Sequence, residues 1–126
     1  MKHLVSTKQF SSPVLVQKIF ALADKYRGGN YLPILKEKII ACIFYEPSTR
    51  TRLSFETVAL KLGAKVISTE NAAQFSSAAK GETLEDSVKI IGGYADAIVL
   101  RHFEKGASKR AAEISSVPII NAGDGT

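Results

Sequence analysis

The sequence predicts an α/β fold, a four-stranded parallel sheet with helices on both faces in the order α-β-α-β-α-β-α-β. Short apolar runs alternate with longer segments whose apolar residues recur at helical spacing. The runs are almost continuously apolar, as expected for parallel strands that are covered on both faces. With 126 residues, 45% of them hydrophobic and 23% charged, the chain suits one soluble globular domain spanning residues 1–126.

The first helix is predicted to begin with Ser12 as N-cap and Pro13 at its first position. Its apolar residues form one face and comprise Leu15, Ile19, Leu22, Ala23 and Tyr26. Gly28 and Gly29 end it. The first strand is predicted over residues 38–45, and a second helix follows from about Thr49 to Leu62.

The remaining elements continue the alternation. The second strand is predicted at Ala64–Ser68, and the polar, aperiodic residues 70–82 form a loop of a length that is usually functional. Thr83 to Asp86 has the pattern of a capping box that opens the third helix. The third strand is predicted at Ala95–Leu100, the fourth helix at Gly106–Ser115 and the fourth strand at Val117–Ile120. A turn is predicted over residues 121–126.

Four connections of this fold lie at one edge of the sheet. Ligands of parallel sheets bind outside the carboxyl ends of the strands. That edge carries the turn from Ser48 to Arg52, the loop 70–82, the pair Arg101-His102 and the final turn. Because a helix N-terminus presents free N–H groups and two guanidinium groups lie beside it, the first turn predicts a phosphate site.

The residue types favour electrostatic catalysis on an anionic substrate. Arg50 can grip phosphate oxygens, while Thr51 and Arg101 can donate to an oxygen that gains negative charge. A structural interpretation of the arginines also stays open. One arginine of the turn, with Arg52 favoured, can pair with a carboxylate such as Glu46, and Arg101 can be a surface charge at a strand end.

Isolated polar residues carry weaker signals. Lys80 in a polar loop is usually a solvated charge, and Ser76 alone carries no signal. His102 is more often a hydrogen-bonded structural group than a catalyst. His3 and His102 are the only histidines and lie far apart in sequence, so no metal site is predicted.

Composition excludes several classes of protein. The single cysteine, Cys42, lies in an apolar run, which excludes a disulfide framework and favours a cytoplasmic setting and a buried, unreactive thiol. No apolar run approaches the roughly 20 residues of a membrane span. The net charge of +5 suits an anionic substrate, but the basic residues are dispersed and no aromatic residues interleave with them, which argues against nucleic-acid binding.

Several sequence blocks resemble the aspartate/ornithine carbamoyltransferase family. The first block is Phe44 to Arg52 with Ser54, Phe55 and Glu56, and it is highly specific. Further blocks follow in the family order at Lys80–Thr83, Asp96–His102 and Val117–Gly125. The Arg101-His102 pair and the Asn-Ala-Gly-Asp-Gly turn are similar to the aspartate branch, although Phe103 stands where a proline is common.

The resemblance implies a carbamoyl-phosphate-binding domain and a set of site residues. The phosphate would be bound by Ser48, Thr49, Arg50 and Thr51. Thr51 and Arg101 would also contact the carbamoyl oxygen and act as catalytic residues. The expected reaction is transfer of the carbamoyl group to L-aspartate, a step of pyrimidine biosynthesis. Ser76 and Lys80 would be lent to a neighbouring subunit of a homotrimer. No metal or organic cofactor is implied, and regulatory chains are an open question.

The family pattern continues beyond the 126 residues with a His-Pro-x-x-Gln block and an amino-acid-binding domain. We therefore expect the chain to be a fragment that binds carbamoyl phosphate weakly and is inactive alone. We also expect uncovered sheet surface and self-association. The sequence leaves two further functions open: a non-catalytic phosphate-binding or interaction module of the same fold, and the ornithine branch.

Overall fold

The computed structural model describes residues 2–75 and 80–125. Its four strands are β1 (Ile39–Phe44), β2 (Lys65–Thr69), β3 (Ala97–His102) and β4 (Ile119–Asp124). They form one sheet in the order β2-β1-β3-β4, and every pairing is parallel. The predicted four-stranded parallel sheet is confirmed.

Helices connect the strands in the predicted alternation. The described α-helices are α1 (Pro13–Arg27), α2 (Thr49–Lys61), α3 (Ala72–Phe75), α4 (Leu84–Gly92) and α5 (Ala107–Ile114). All except the one-turn α3 match a predicted helix. The backbone N–H of Asp86 donates to the side chain of Thr83, which caps α4 as predicted. Helix α1 begins at Pro13, but Ser12 makes no capping hydrogen bond through its side chain.

The two faces of the sheet carry separate cores. Alternate residues of β1 point to opposite faces, so Ala41 and Ile43 pack beneath α4 and α5. Cys42 and Phe44 pack on the other face, where α2 contributes Ala59. These strand residues are buried, so the helices do lie on both faces and cover the central strand β1.

The predicted loss of cover is not seen at Ile119 and Ile120 of β4, which are buried and partly buried, but β2 is largely exposed and its Ile67 is 40% exposed. Further exposed apolar surface lies on the helices, above all on α1, which has no buried residue. Phe20 of α1 is 64% exposed. A short 3-10 helix, Thr7–Phe10, which the periodicity did not predict, directly precedes α1 and contacts it.

Three local predictions need correction. The segment predicted as a turn from residue 121 is part of β4, because Asn121 and Asp124 pair with β3 and Leu4 bridges to Ile120. Strand β3 begins later and continues through Arg101 and His102. The loop after β2 contains α3. None of the helices described is both long and apolar enough to cross a membrane.

Candidate active site

The phosphate turn, defined as Ser48 to Thr51, lies where β1 passes into α2. Ser48 is the N-cap, and its Oγ donates to Oγ1 of Thr51 at 3.0 Å. The Ser48 side chain does not accept from the first N–H groups of α2, so these donors stay available to an anion. The Ser54 hydroxyl donates to the Thr51 carbonyl at 2.7 Å, which fixes this first helical turn.

The two arginines of the first turn have different surroundings. Arg50 is exposed and forms no ion pair with any described residue. Arg52 pairs with Glu56 at 2.9 Å and with Glu70 at 3.2 Å. The prediction that Arg52 is the arginine neutralised by carboxylates is confirmed, and Arg50 is left as the phosphate-binding candidate.

Arg101 lies at the same edge, next to β1. It is registered with Phe44 across the β1–β3 pairing. Its Nη2 lies 2.7 Å from Glu46 Oε1, and its Nη1 donates to the Ala122 carbonyl at 2.9 Å. The Arg101 side chain is only 27% exposed, so it is held at the site and is not a freely solvated charge at a strand end.

Gly123 provides the space for that guanidinium. A Cβ atom at Gly123, which has φ +123°, would meet Arg101 Nη1. Only glycine adopts this backbone freely and leaves this volume empty. The Asn-Ala-Gly-Asp-Gly segment therefore acts on the site by forming the surface on which Arg101 lies.

Asn121 and Asp124 brace the same segment. Asn121 Nδ2 donates to Asp124 Oδ1 at 2.8 Å and to the Val5 carbonyl at 2.9 Å. Asp124 Oδ2 in turn accepts from the backbone N–H of Ser108 at 3.1 Å, in the first turn of α5. The end of β4 is thereby tied to the N-terminal segment and to α5.

His102 is buried between two aromatic rings. Its ring centroid is 4.6 Å from that of Tyr45 and 4.3 Å from that of Phe103. Its Nδ1 accepts from the backbone N–H of Glu104 at 3.0 Å. Burial lowers the pKa of His102, so the neutral ring is favoured and the structural interpretation of this residue holds.

The remaining predicted residues are Lys80, Ser76 and the two threonines of the phosphate turn. Lys80 is exposed and has no hydrogen bond or ion pair within the described residues. Ser76 lies outside the described residues. Thr49 is exposed at the first position of α2, while Thr51 is partly buried.

Glu46 is the residue to which sequence reasoning assigned the wrong partner. The sequence indicates it only as a partner for the arginines of the turn, whereas it pairs with Arg101. The local sequence could not indicate this contact, because it depends on β1 and β3 being neighbours. Among the residues described, no group of three or more His, Cys, Asp or Glu could hold a metal ion.

Comparison with known proteins supports the same fold and identifies the family. The family model of the aspartate/ornithine carbamoyltransferase carbamoyl-P binding domain matches residues 2–126. The chain belongs to this family. The first turn of α2 and Arg101 therefore lie within the part of the chain that matches a carbamoyl-P binding domain.

Individual carbamoyltransferases cover nearly the whole chain. The chloroplastic aspartate carbamoyltransferase of Oryza sativa subsp. japonica is 59% identical over 97% of the chain, which is 36% of that protein. The catalytic subunit of M. jannaschii aspartate transcarbamoylase superposes with a TM-score of 0.86 at 48% identity, covering 100% of this chain and 42% of that one.

A third carbamoyltransferase was solved with its substrates. Aspartate transcarbamoylase from Trypanosoma cruzi, in complex with carbamoyl phosphate and aspartate, has a TM-score of 0.84 at 33% identity. The match covers 98% of this chain and 41% of that one. The chain thus spans between about a third and two fifths of the length of the relatives it matches.

Proposed function

We propose that the chain is the carbamoyl-phosphate-binding part of an aspartate carbamoyltransferase. The observation that carries the proposal is Arg50 at the N-terminus of α2, unpaired among the described residues, beside an Arg101 held at the same edge of the sheet. Free N–H groups, the Ser48, Thr49 and Thr51 hydroxyls and the Arg50 guanidinium provide donors for a phosphate. The names of the relatives favour aspartate over ornithine as acceptor.

In the proposed carbamoyl transfer, Thr51, Arg101 and Arg50 each bind a different part of the reacting substrate or share one oxygen of it. The amino group of L-aspartate attacks the carbamoyl carbon, the carbonyl oxygen gains negative charge, and the tetrahedral intermediate releases phosphate, which carries away the proton lost by the amine. Thr51 and Arg101 donate to the carbamoyl oxygen and Arg50 to the leaving phosphate. To bind the substrate, the Arg101 guanidinium leaves its ion pair with Glu46, because the carboxylate of Glu46 and the substrate are both anionic partners.

The proposed active enzyme is a homotrimer in which Ser76 and Lys80 complete a neighbouring site. The exposure of Lys80 and its lack of a partner among the described residues support this part of the proposal. The cytoplasmic location also stays a proposal, because the rice relative is chloroplastic. Microscopy of the gene product carrying a fluorescent tag tests the location.

The decisive experiment uses the complete chain. This term denotes residues 1–126 together with whatever the gene encodes after Thr126. If the reading frame stops at Thr126, the complete chain is residues 1–126 joined to the remaining part of the rice relative. We expect the complete chain to form carbamoyl-L-aspartate from carbamoyl phosphate and L-aspartate. Turnover of L-ornithine instead would assign the ornithine branch, and turnover of neither would favour a non-catalytic phosphate-binding module.

Arg50→Ala tests the phosphate site itself. We expect roughly tenfold weaker phosphate binding by calorimetry, since a charge-assisted donor is lost, and an unchanged melting temperature because Arg50 is exposed and unpaired among the described residues. Lys25→Ala on α1 removes the same charge away from the site and is the matched control. Equal affinities of the two variants would place the anion elsewhere.

A further inference from the structure

Strand β4 contains one more residue than β3 at the point where it passes Arg101. Between two aligned pairs of residues, β3 contributes only Arg101, whereas β4 contributes Ala122 and Gly123. Such a bulge is rare between parallel strands and is typical of positions beside active sites, where it redirects a group. The aligned pairs on either side are Leu100 with Asn121 and His102 with Asp124.

The bulge supplies one of the two contacts that orient the Arg101 guanidinium. The Ala122 carbonyl accepts from Arg101 Nη1 at 2.9 Å, and Nη2 pairs with Glu46 at 2.7 Å. Arg101 Nε is buried without a hydrogen-bond partner among the described residues. When the substrate replaces Glu46, the hydrogen bond to Ala122 is therefore the described contact that still holds the guanidinium.

The side chain of Asn121 closes the bulge. Its Oδ1 accepts from the backbone N–H of Gly123 at 2.7 Å, which forms a tight Asx turn around Ala122. Its Nδ2 donates to the Val5 carbonyl at 2.9 Å. Because the turn encloses the Ala122 peptide, the direction of the carbonyl that contacts Arg101 depends on the Asn121 side chain.

Asp124 anchors the bulge to helix α5. Its Oδ1 accepts from Asn121 Nδ2 at 2.8 Å, and its Oδ2 accepts from the backbone N–H of Ser108 at 3.1 Å. Gly106, the N-cap of α5, has no side chain that could accept from this turn. The Asp124 carboxylate therefore takes the place of a capping side chain, at the helix end that favours a negative charge.

We infer that Asn121 and Asp124 are positioning residues that orient the Arg101 guanidinium through the bulge of β4. This assignment rests on the proposed function, in which Arg101 donates to the carbamoyl oxygen. Neither Asn121 nor Asp124 touches the substrate. They act by fixing the Ala122 carbonyl between the first turn of α5 and the N-terminal segment.

Asn121→Ala in the complete chain tests the inference. We expect kcat/KM for carbamoyl phosphate to fall roughly tenfold, because small displacements of a group that contacts the reacting atoms are costly. Gln9→Ala is the matched control, since it also removes an amide whose hydrogen bonds hold the N-terminal segment, at residues 3–6 and away from the bulge. It should change kcat/KM less than about twofold.

A double-mutant cycle separates positioning from a general loss of structure. Arg101→Ala alone should lower kcat/KM by about 10²–10³, and radiolabelled carbamoyl phosphate makes such slow turnover measurable. If Asn121 acts through Arg101, adding Asn121→Ala to this variant should lower kcat/KM by less than about twofold more. Asn121→Ser keeps an oxygen that can accept from Gly123, more weakly, and should restore part of the loss.

The outcomes separate the inference from the proposed function. Equal losses in Asn121→Ala and Gln9→Ala, no loss in Asn121→Ala, or a full further loss in the Arg101→Ala background each overturn the inference while the transferase activity stands. An inactive wild-type complete chain contradicts the proposed function and the inference with it. Thermal unfolding checks each variant, and Asn121→Ser takes the place of Asn121→Ala in the comparison if the alanine variant does not fold.

Discussion

Arg101 and Glu46 form an ion pair across the ends of neighbouring strands, with 2.7 Å between Nη2 and Oε1. Both side chains are partly exposed, at 27% and 36%. In this ion pair Glu46 binds the Arg101 guanidinium, which the proposed reaction requires for the substrate. An incoming anion must therefore compete with Glu46 for Arg101.

Removing that competitor should strengthen anion binding. For Glu46→Gln we expect phosphate to bind about two- to fivefold more tightly, since partly exposed ion pairs contribute about 0.2–1 kcal/mol. Isothermal calorimetry of the chain with inorganic phosphate measures the change. Glu104→Gln, which breaks the Glu104–Arg110 pair instead, is the control, and weaker binding by Glu46→Gln would show that the pair prepares the site.

Gly123→Ala should disrupt the position of Arg101. The new methyl group would meet Arg101 Nη1, and the residue would have to keep φ +123°. We expect a loss of about 1–3 kcal/mol in the free energy of unfolding, measured by urea titration, together with weaker phosphate binding. Gly28→Ala is the control, because its φ is −72° and the nearest contact of its Cβ would be an ordinary 3.7 Å. Equal stability of the two variants would contradict the steric argument.

His102 should make stability depend on pH. Burial is the main cause that lowers the pKa of His102 below 6.5. The nearby carboxylates of Glu104, Glu85 and Asp124 raise this pKa, while the positive charge of Arg110 lowers it further. The unfolded chain therefore binds the proton more readily than the folded chain. The contribution of His102 is complete above about pH 6.5 and is lost as the pH falls from there to its lower folded-state pKa.

Urea titrations between about pH 8 and 5 measure this effect. The free energy of unfolding should fall with pH in the wild-type chain and fall less in His102→Gln, which has no proton to gain. His3→Gln is a useful comparison, because burial also lowers the pKa of His3, with Lys2 contributing. An identical pH dependence of wild type and His102→Gln would refute the assignment.

The exposed apolar residues of α1 should promote self-association. This helix has no buried residue and presents several large apolar side chains, namely Val14, Ile19, Phe20 and Leu22. We expect oligomers of the 126-residue chain in sedimentation velocity at tens of micromolar, and fewer of them for Phe20→Ser. Lys18→Ser on the same helix is the control, and a monodisperse wild-type monomer would contradict the prediction.

Local patterns were sufficient for most elements of the fold. The turn from Ser48 into α2, the cap at Thr83 and the apolar run of β1 each depend on neighbouring residues, and all three lie where predicted. The neutralisation of Arg52 was also predictable, because one partner, Glu56, lies a single helical turn away. Such interactions need no knowledge of the strand order.

The end of β4 shows where local patterns fail. Asn121 to Asp124 has the composition of a turn, yet it is a strand. The N–H of Asn121 donates to the Leu4 carbonyl at 2.8 Å, and its side chain reaches Val5. These partners lie at the other end of the chain, so only long-range contacts override the turn propensity of Asn and Gly.

By itself the sequence specifies the alternation of strands and helices, the family, and the residue types at the carboxyl edge of the sheet, because hydrophobic periodicity, caps and motif spacing are local properties. The tertiary structure decides which charges meet. Among the described residues it leaves Arg50 unpaired, assigns Glu46 to Arg101 and Glu70 to Arg52, and places Gly123 beneath the Arg101 guanidinium. Those pairings follow from the order β2-β1-β3-β4, which brings together residues that are distant in the chain.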